Sequence, residues 1–177
     1  MKEKRGKHLI LIGFMGTGKT TVGKVLAKKL SMPFVDTDLE IERQSGCTIS
    51  QIFCNQGEEF FRQLERKVLK NTLSSAPSVI ATGGGIVLRE DNVEDMQKGG
   101  WVVALTASRD ELIQRLENDS SRPLLRGDMR KQIDELLSKR RESYRFADLT
   151  VDTTGRSVTV IAGIIYKHYQ EYLTLNV

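Results

Sequence analysis

The chain has 177 residues, of which 39% are hydrophobic and 28% charged; that suits one globular domain and excludes a disordered chain. No apolar run approaches the ~20 residues of a membrane span, so no membrane partner is expected. Lysine and arginine number 27 against 23 acids, and the net charge of +4 carries no dense basic block, a balance compatible with small anionic ligands or nucleic acid.

The two cysteines, Cys47 and Cys54, make no CxxC pair, and no histidine cluster adjoins them. Zinc is not suggested, and free thiols in a reducing cytoplasm are expected. The basic start and the short apolar run after it read as the approach to a first strand, not as a signal peptide.

In chain order, "HLILIGF" (8–14) is almost wholly apolar, as in a buried parallel strand. "GKTTVGKVLAKKL" (18–30) places Val22, Val25, Leu26 and Leu30 at helical spacing. "PFVDTD" (33–38) reads as a second strand, and residues 39–56 as short helical pieces broken at Gly46. "EEFFRQLERKVLKNTL" (58–73) is amphipathic through Phe61, Leu64, Val68 and Leu69. Strands are expected at 78–85 and 99–107, then a helix over 108–119 with Ser108 as N-cap and Glu111 at the capping-box position. Residues 118–130, with Pro123, Gly127, Arg122, Arg126 and Arg130, read as a lid or a solvated loop. A long polar helix (130–147), a last strand (149–154) and a last helix (157–173) complete the chain. The alternation predicts an α/β fold: a parallel sheet of five strands with helices on both faces and ligands at the strands' carboxyl ends. His8 and His168 read as structural or exposed, and Trp101 as core.

"GFMGTGKT" (13–20) matches G-x-x-x-x-G-K-[ST] between a strand and a helix, the context that gives the pattern meaning. Glycines let the chain curl so that backbone N–H groups face a phosphate, and the helix N-terminus adds its positive dipole end. Lys19 supplies a mobile charge to the β- and γ-phosphates and Thr20 a hydroxyl to Mg²⁺. The expected ATP contacts in this loop are Gly16, Thr17, Gly18, Lys19, Thr20 and Thr21.

Three features bear on the phosphate acceptor. Asp36 and Asp38 flank Thr37, and in a strand both carboxylates would point the same way. One can serve Mg²⁺ and the other orient an alcohol, or Asp38 can N-cap the next helix. Arg62 can grip a carboxylate, or pair with Glu58 or Glu65 on its own helix. Gly83, Gly84 and Gly85 permit close approach of a ligand, or form a plain turn.

With the P-loop, "DTD", "GEEFFRQLE", "TGGG" and "RPLL" in this order, the chain resembles the shikimate kinases over nearly its full length. The resemblance implies a P-loop kinase fold in one domain (1–177), with a substrate region at about 36–64 and a mobile lid at about 118–130. It implies ATP and shikimate as substrates, Mg²⁺ as cofactor, and transfer of the γ-phosphoryl group to the 3-hydroxyl in aromatic amino-acid biosynthesis. It assigns Asp36 with Thr20 to the metal, Asp38 to the shikimate hydroxyls as candidate base, and Arg62 and Arg140 to the carboxylate. Arg141 stands next to Arg140. Gly84, with its neighbours Gly83 and Gly85, and the apolar Phe53 and Phe61 complete the acceptor pocket. Arg115 is assigned to the adenine, and Arg122 and Arg156 to ATP; with Lys19 and Asp38, Arg122 is a catalytic candidate. A cytoplasmic monomer without a nucleic-acid partner is expected. The rivals are a kinase of another hydroxy acid such as gluconate, a nucleotide kinase, and a nucleotide-binding switch without turnover.

Overall fold

The computed structural model describes residues 7–117, 128–140 and 142–175. Among them, five strands form one parallel sheet: β1 (His8–Gly13), β2 (Phe34–Asp36), β3 (Val79–Ala81), β4 (Gly100–Thr106) and β5 (Leu149–Asp152). Their order across the sheet is β2-β3-β1-β4-β5. β1 is therefore central, and every one of its side chains is buried.

Helices cover both faces. Leu9 and Leu11 of β1 point to α1 (Lys19–Leu30) and α7 (Val158–Leu175), where Trp101, Tyr169 and Tyr172 close the apolar layer. Ile10 and Ile12 point the other way, to Leu69 of α3 (Ile49–Leu73) and Met96 of α4 (Glu90–Gly99). This period-2 division explains why the central strands read as continuous apolar runs. The chain leaves β1 for β2, returns through β3, and crosses to β4, so the strand order reverses at β1. The crevice at its carboxyl end is where ligands of such sheets bind.

Several boundaries differ from the sequence-based expectation. β2 stops at Asp36, and α2 (Thr37–Ser45) begins at once, with Asp36 as its N-cap. α3 runs from a Thr48–Gln51 capping box to Leu73, with a break at Gly57, whose φ of 82° and ψ of 173° suit only glycine. α4 was not anticipated, because only Val93 and Met96 interrupt its polar sequence. It is held instead by polar ties: Asn92 donates to the Ile86 carbonyl and accepts from Arg66, both at 3.0 Å. α5 (Arg109–Leu116) is shorter than expected, and Ser108 caps it by accepting from the Glu111 amide.

The expected helix over 130–147 is α6 (Met129–Arg140), followed by turns at 142–146. Those turns bring Tyr144 and Phe146 onto the α3 and α4 side of the core, which a continuing polar helix would not do. Met129 and Arg130 belong to α6 and not to a lid. Residues 118–127, and with them Arg122 and Arg126, lie outside the described residues, as does Arg141. No helix among the described residues is long and apolar enough to cross a membrane.

Candidate active site

One cleft of about 710 Å³ opens at the carboxyl ends of β1, β2 and β3. Every candidate site residue among the described residues lines it: the loop residues 16–21, Asp36, Asp38, Phe53, Phe61, Arg62, Gly83–Gly85, Arg115, Arg140 and Arg156.

The phosphate end is built by β1 running into α1. Gly16 and Gly18 adopt left-handed conformations (φ 81° and 91°), which turn the loop's amides inward. Lys19 is buried, and its ammonium donates to the carbonyls of Gly13 and Phe14, both at 2.8 Å. Thr17 is buried and donates to the Phe14 carbonyl at 2.8 Å, which braces the loop from beneath.

Thr20 donates its hydroxyl to Asp36 Oδ2 at 2.7 Å. Asp36 Oδ1 meanwhile accepts from the amides of Asp38 and Leu39, at 3.1 and 3.3 Å. The expected strand geometry is thus corrected. Asp36 ends the strand and caps α2, whereas Asp38 lies in the first turn of α2, so the two carboxylates face different partners. The capping role considered for Asp38 falls to Asp36. Two hard oxygen donors side by side at the phosphate loop fit Mg²⁺, which keeps several waters and takes few protein ligands. Among the described residues, no cluster of three or more His, Cys, Asp or Glu offers a fuller cage.

The opposite end of the cleft is built by α2, α3 and the glycine turn. Thr37, fully buried, accepts from the Gly83 amide at 3.2 Å and so ties that turn to the start of α2. A Cβ at Gly83 would stand 2.7 Å from Asp38 Oδ1 and 2.8 Å from Glu65 Oε1. A Cβ at Gly85 would stand 2.4 Å from the Arg62 guanidinium. A side chain at Gly83 or Gly85 would thus displace the ends of Asp38, Glu65 or Arg62 from their present places.

Arg62 is 8% exposed and is paired with Glu65 at 2.8 Å and Glu58 at 3.0 Å. The helical pairs exist, yet the guanidinium is buried against the cleft and not solvated. Its charge also lies 5.1 Å from the Phe61 ring centroid, and Phe53 lies 4.8 Å from that ring. Arg140 is buried above the Phe14 ring at 5.9 Å.

Glu65 was weighed in the sequence only as a helical partner of Arg62. It has no exposed surface, and burial lifts its carboxyl to about 7; Arg62 opposes that shift and Asp38 adds to it. The signal was its place one helical turn after Arg62, on the face that Phe61 and Leu69 bury.

Another stretch of the cleft lies between α5 and the β5–α7 turn. Arg115 donates to the Gly16 carbonyl at 3.0 Å and to the side chain and carbonyl of Thr153 at 3.1 and 3.2 Å. Glu111 holds it from the other side at 2.7 Å. These bonds all engage the edges of the planar guanidinium. Thr153 had no signal in the sequence; it reaches the cleft only because β5 ends there.

The family model described as shikimate kinase matches residues 15–170. The chain belongs to the shikimate kinase family. The shikimate kinase of Thermodesulfovibrio yellowstonii is 44% identical over 165 residues, covering 93% of this chain and 95% of that protein. That of Desulforudis audaxviator is 43% identical over 165 residues, covering 93% and 87%. The solved structure of shikimate kinase from Acinetobacter baumannii in complex with shikimate superposes with a TM-score of 0.90 at 36% identity, covering 96% of each chain. The expected P-loop kinase fold is thus that of the shikimate kinases.

Proposed function

We propose that the chain is a shikimate kinase that uses this cleft to transfer the γ-phosphoryl group of ATP to the 3-hydroxyl of shikimate. It rests on one observation: a phosphate loop, a carboxylate and two buried arginines converge on a single cleft. A polyol bearing a carboxylate needs that combination, whereas a nucleotide-binding switch has no use for the acceptor half.

In this reading the P-loop amides and Lys19 hold the phosphates, and Lys19 exchanges the Gly13 and Phe14 carbonyls for phosphate oxygens. Thr20 and Asp36 would hold Mg²⁺, which supplies charge neutralisation at the β- and γ-phosphates when bound. Arg115 and Arg156 flank the nucleoside, and Arg122 is assigned to the spreading charge on the γ-phosphoryl group.

Arg62 and Arg140 bind the shikimate carboxylate, with Phe53 and Phe61 against the ring. Asp38, beside Gly83, accepts a hydrogen bond from the 3-hydroxyl. As the new O–P bond forms and the bond to the β–γ bridging oxygen breaks, the hydroxyl proton passes to Asp38 and ADP leaves. The transition state is loose, so alignment contributes more than basicity. The working unit is taken to be one domain, a cytoplasmic monomer that needs no nucleic acid or membrane.

An ADP-release assay with ATP and Mg²⁺ against shikimate, gluconate and nucleoside monophosphates tests this. Shikimate alone should stimulate release. Stimulation by another acceptor with shikimate silent rejects the proposal.

A further inference from the structure

Residues 142–146 form turns after α6. The Tyr144 hydroxyl donates to the Gly84 carbonyl at 2.7 Å, across sixty positions of sequence. The positive charge of Arg140 also acts on this phenol oxygen. The two groups it joins are adjacent: a Cβ at Gly84 would stand 3.5 Å from Arg140 Nη1.

The Tyr144 ring itself is fixed, packed in the apolar layer with Ile10, Ile12 and Ile80. On its other side Arg140 meets the Phe14 ring of the phosphate loop. Arg140 is therefore held between the loop that binds ATP and a tyrosine bonded to the glycine turn. Gly84 is held likewise, since its Cβ position lies 3.3 Å from the Gly13 carbonyl and 3.4 Å from the Met15 amide.

We propose that Tyr144 is a positioning residue for the acceptor pocket: its hydroxyl fixes the Gly84 carbonyl and the Arg140 guanidinium relative to one another. It does not touch the cleft. It sets the spacing between one hydroxyl-facing and one carboxylate-facing contact, and so acts on shikimate binding through both. This rests on the shikimate kinase reading above.

The test is Tyr144→Phe, which keeps the ring and removes only the oxygen. The KM for shikimate should rise by roughly 3- to 10-fold, the size of one lost hydrogen bond. The KM for ATP and kcat should stay within about twofold, because uniform acceptor binding is what is lost. The melting temperature should stay close to that of the wild type, since the packing is retained.

An unchanged shikimate KM overturns the proposal, and so does an equal rise in both KM values, which would mean a general loosening. A Phe variant that does not fold also overturns it, because the hydroxyl would then belong to the framework. The wild type in the same assay separates the two levels. No shikimate turnover in the wild type rejects the substrate reading and this proposal together; turnover with an unaltered variant rejects only the role of Tyr144.

Discussion

Asp36 and Asp38 stand one residue apart, and their different surroundings decide what each can do. Asp36 spends one oxygen on the α2 amides and the other on Thr20. Asp38 Oδ1 instead faces Gly83 and the Glu65 carboxyl. Asp38→Asn should therefore lower kcat by about 10²-fold with little change in either KM, the low end of general-base effects because the transition state is loose. Steady-state kinetics in both substrates checks this.

Arg62→Ala should raise the KM for shikimate by roughly 10²-fold. It should also destabilise the fold by about 1–3 kcal/mol, because the buried Glu65 loses its hydrogen-bonded partner and takes up a proton instead. Adding Glu65→Gln should restore most of the urea midpoint and none of the KM, which separates packing from recognition. Glu65 also makes a pH prediction. Burial raises its carboxyl to about 7, so the folded state binds the proton more tightly than the unfolded chain does. Its contribution to stability is thus fully present below about pH 4.5 and is lost as pH rises towards 7. Glu65→Gln should flatten that part of the urea-midpoint profile.

At this scale the sequence was informative wherever a short pattern implies its own geometry. The P-loop is such a pattern, since its glycines and Lys19 need only their neighbours. The facing of Asp36 and Asp38 was misjudged, because strand alternation was extended one residue past the point where α2 starts. Tyr144 and Thr153 were invisible because their partners, Gly84 and Arg115, come from distant segments.

Among the elements, α3 carries the acceptor side, and its kink divides the Phe53 portion from the Phe61–Arg62 portion. Gly57 has open space around its Cβ position, so conformation and not crowding demands glycine there. Gly57→Ala should cost about 1–3 kcal/mol, read from urea denaturation, and should raise the KM for shikimate by reorienting Arg62. The long apolar runs of β1 and β4 and the amphipathic faces of α1 and α3 were legible from their periodicity. α4 was not, because its stability comes from Asn92, Arg66 and a single buried methionine instead of an apolar stripe. α6 ran too long in the expectation because nothing polar in "SKRRESYR" announces that Tyr144 must turn into the core.

For the whole molecule, the parallel sheet and its crevice follow from the alternation of strands and helices, and strand order alone puts the phosphate loop, the aspartates and the glycine turn side by side. The two apolar layers share β1, so unfolding of the chain by urea should be one cooperative transition, with fluorescence of Trp101 and far-UV circular dichroism coinciding. The central claim joins three things: the ATP end, the Asp38 geometry and the arginine pair. All three are tested by locating the phosphate on the product. Incubation with ATP, Mg²⁺ and shikimate followed by phosphorus–proton correlation NMR should show the new phosphorus coupled to the proton on C3. Phosphate on C4 or C5, or no phosphorylated shikimate at all, would contradict the account.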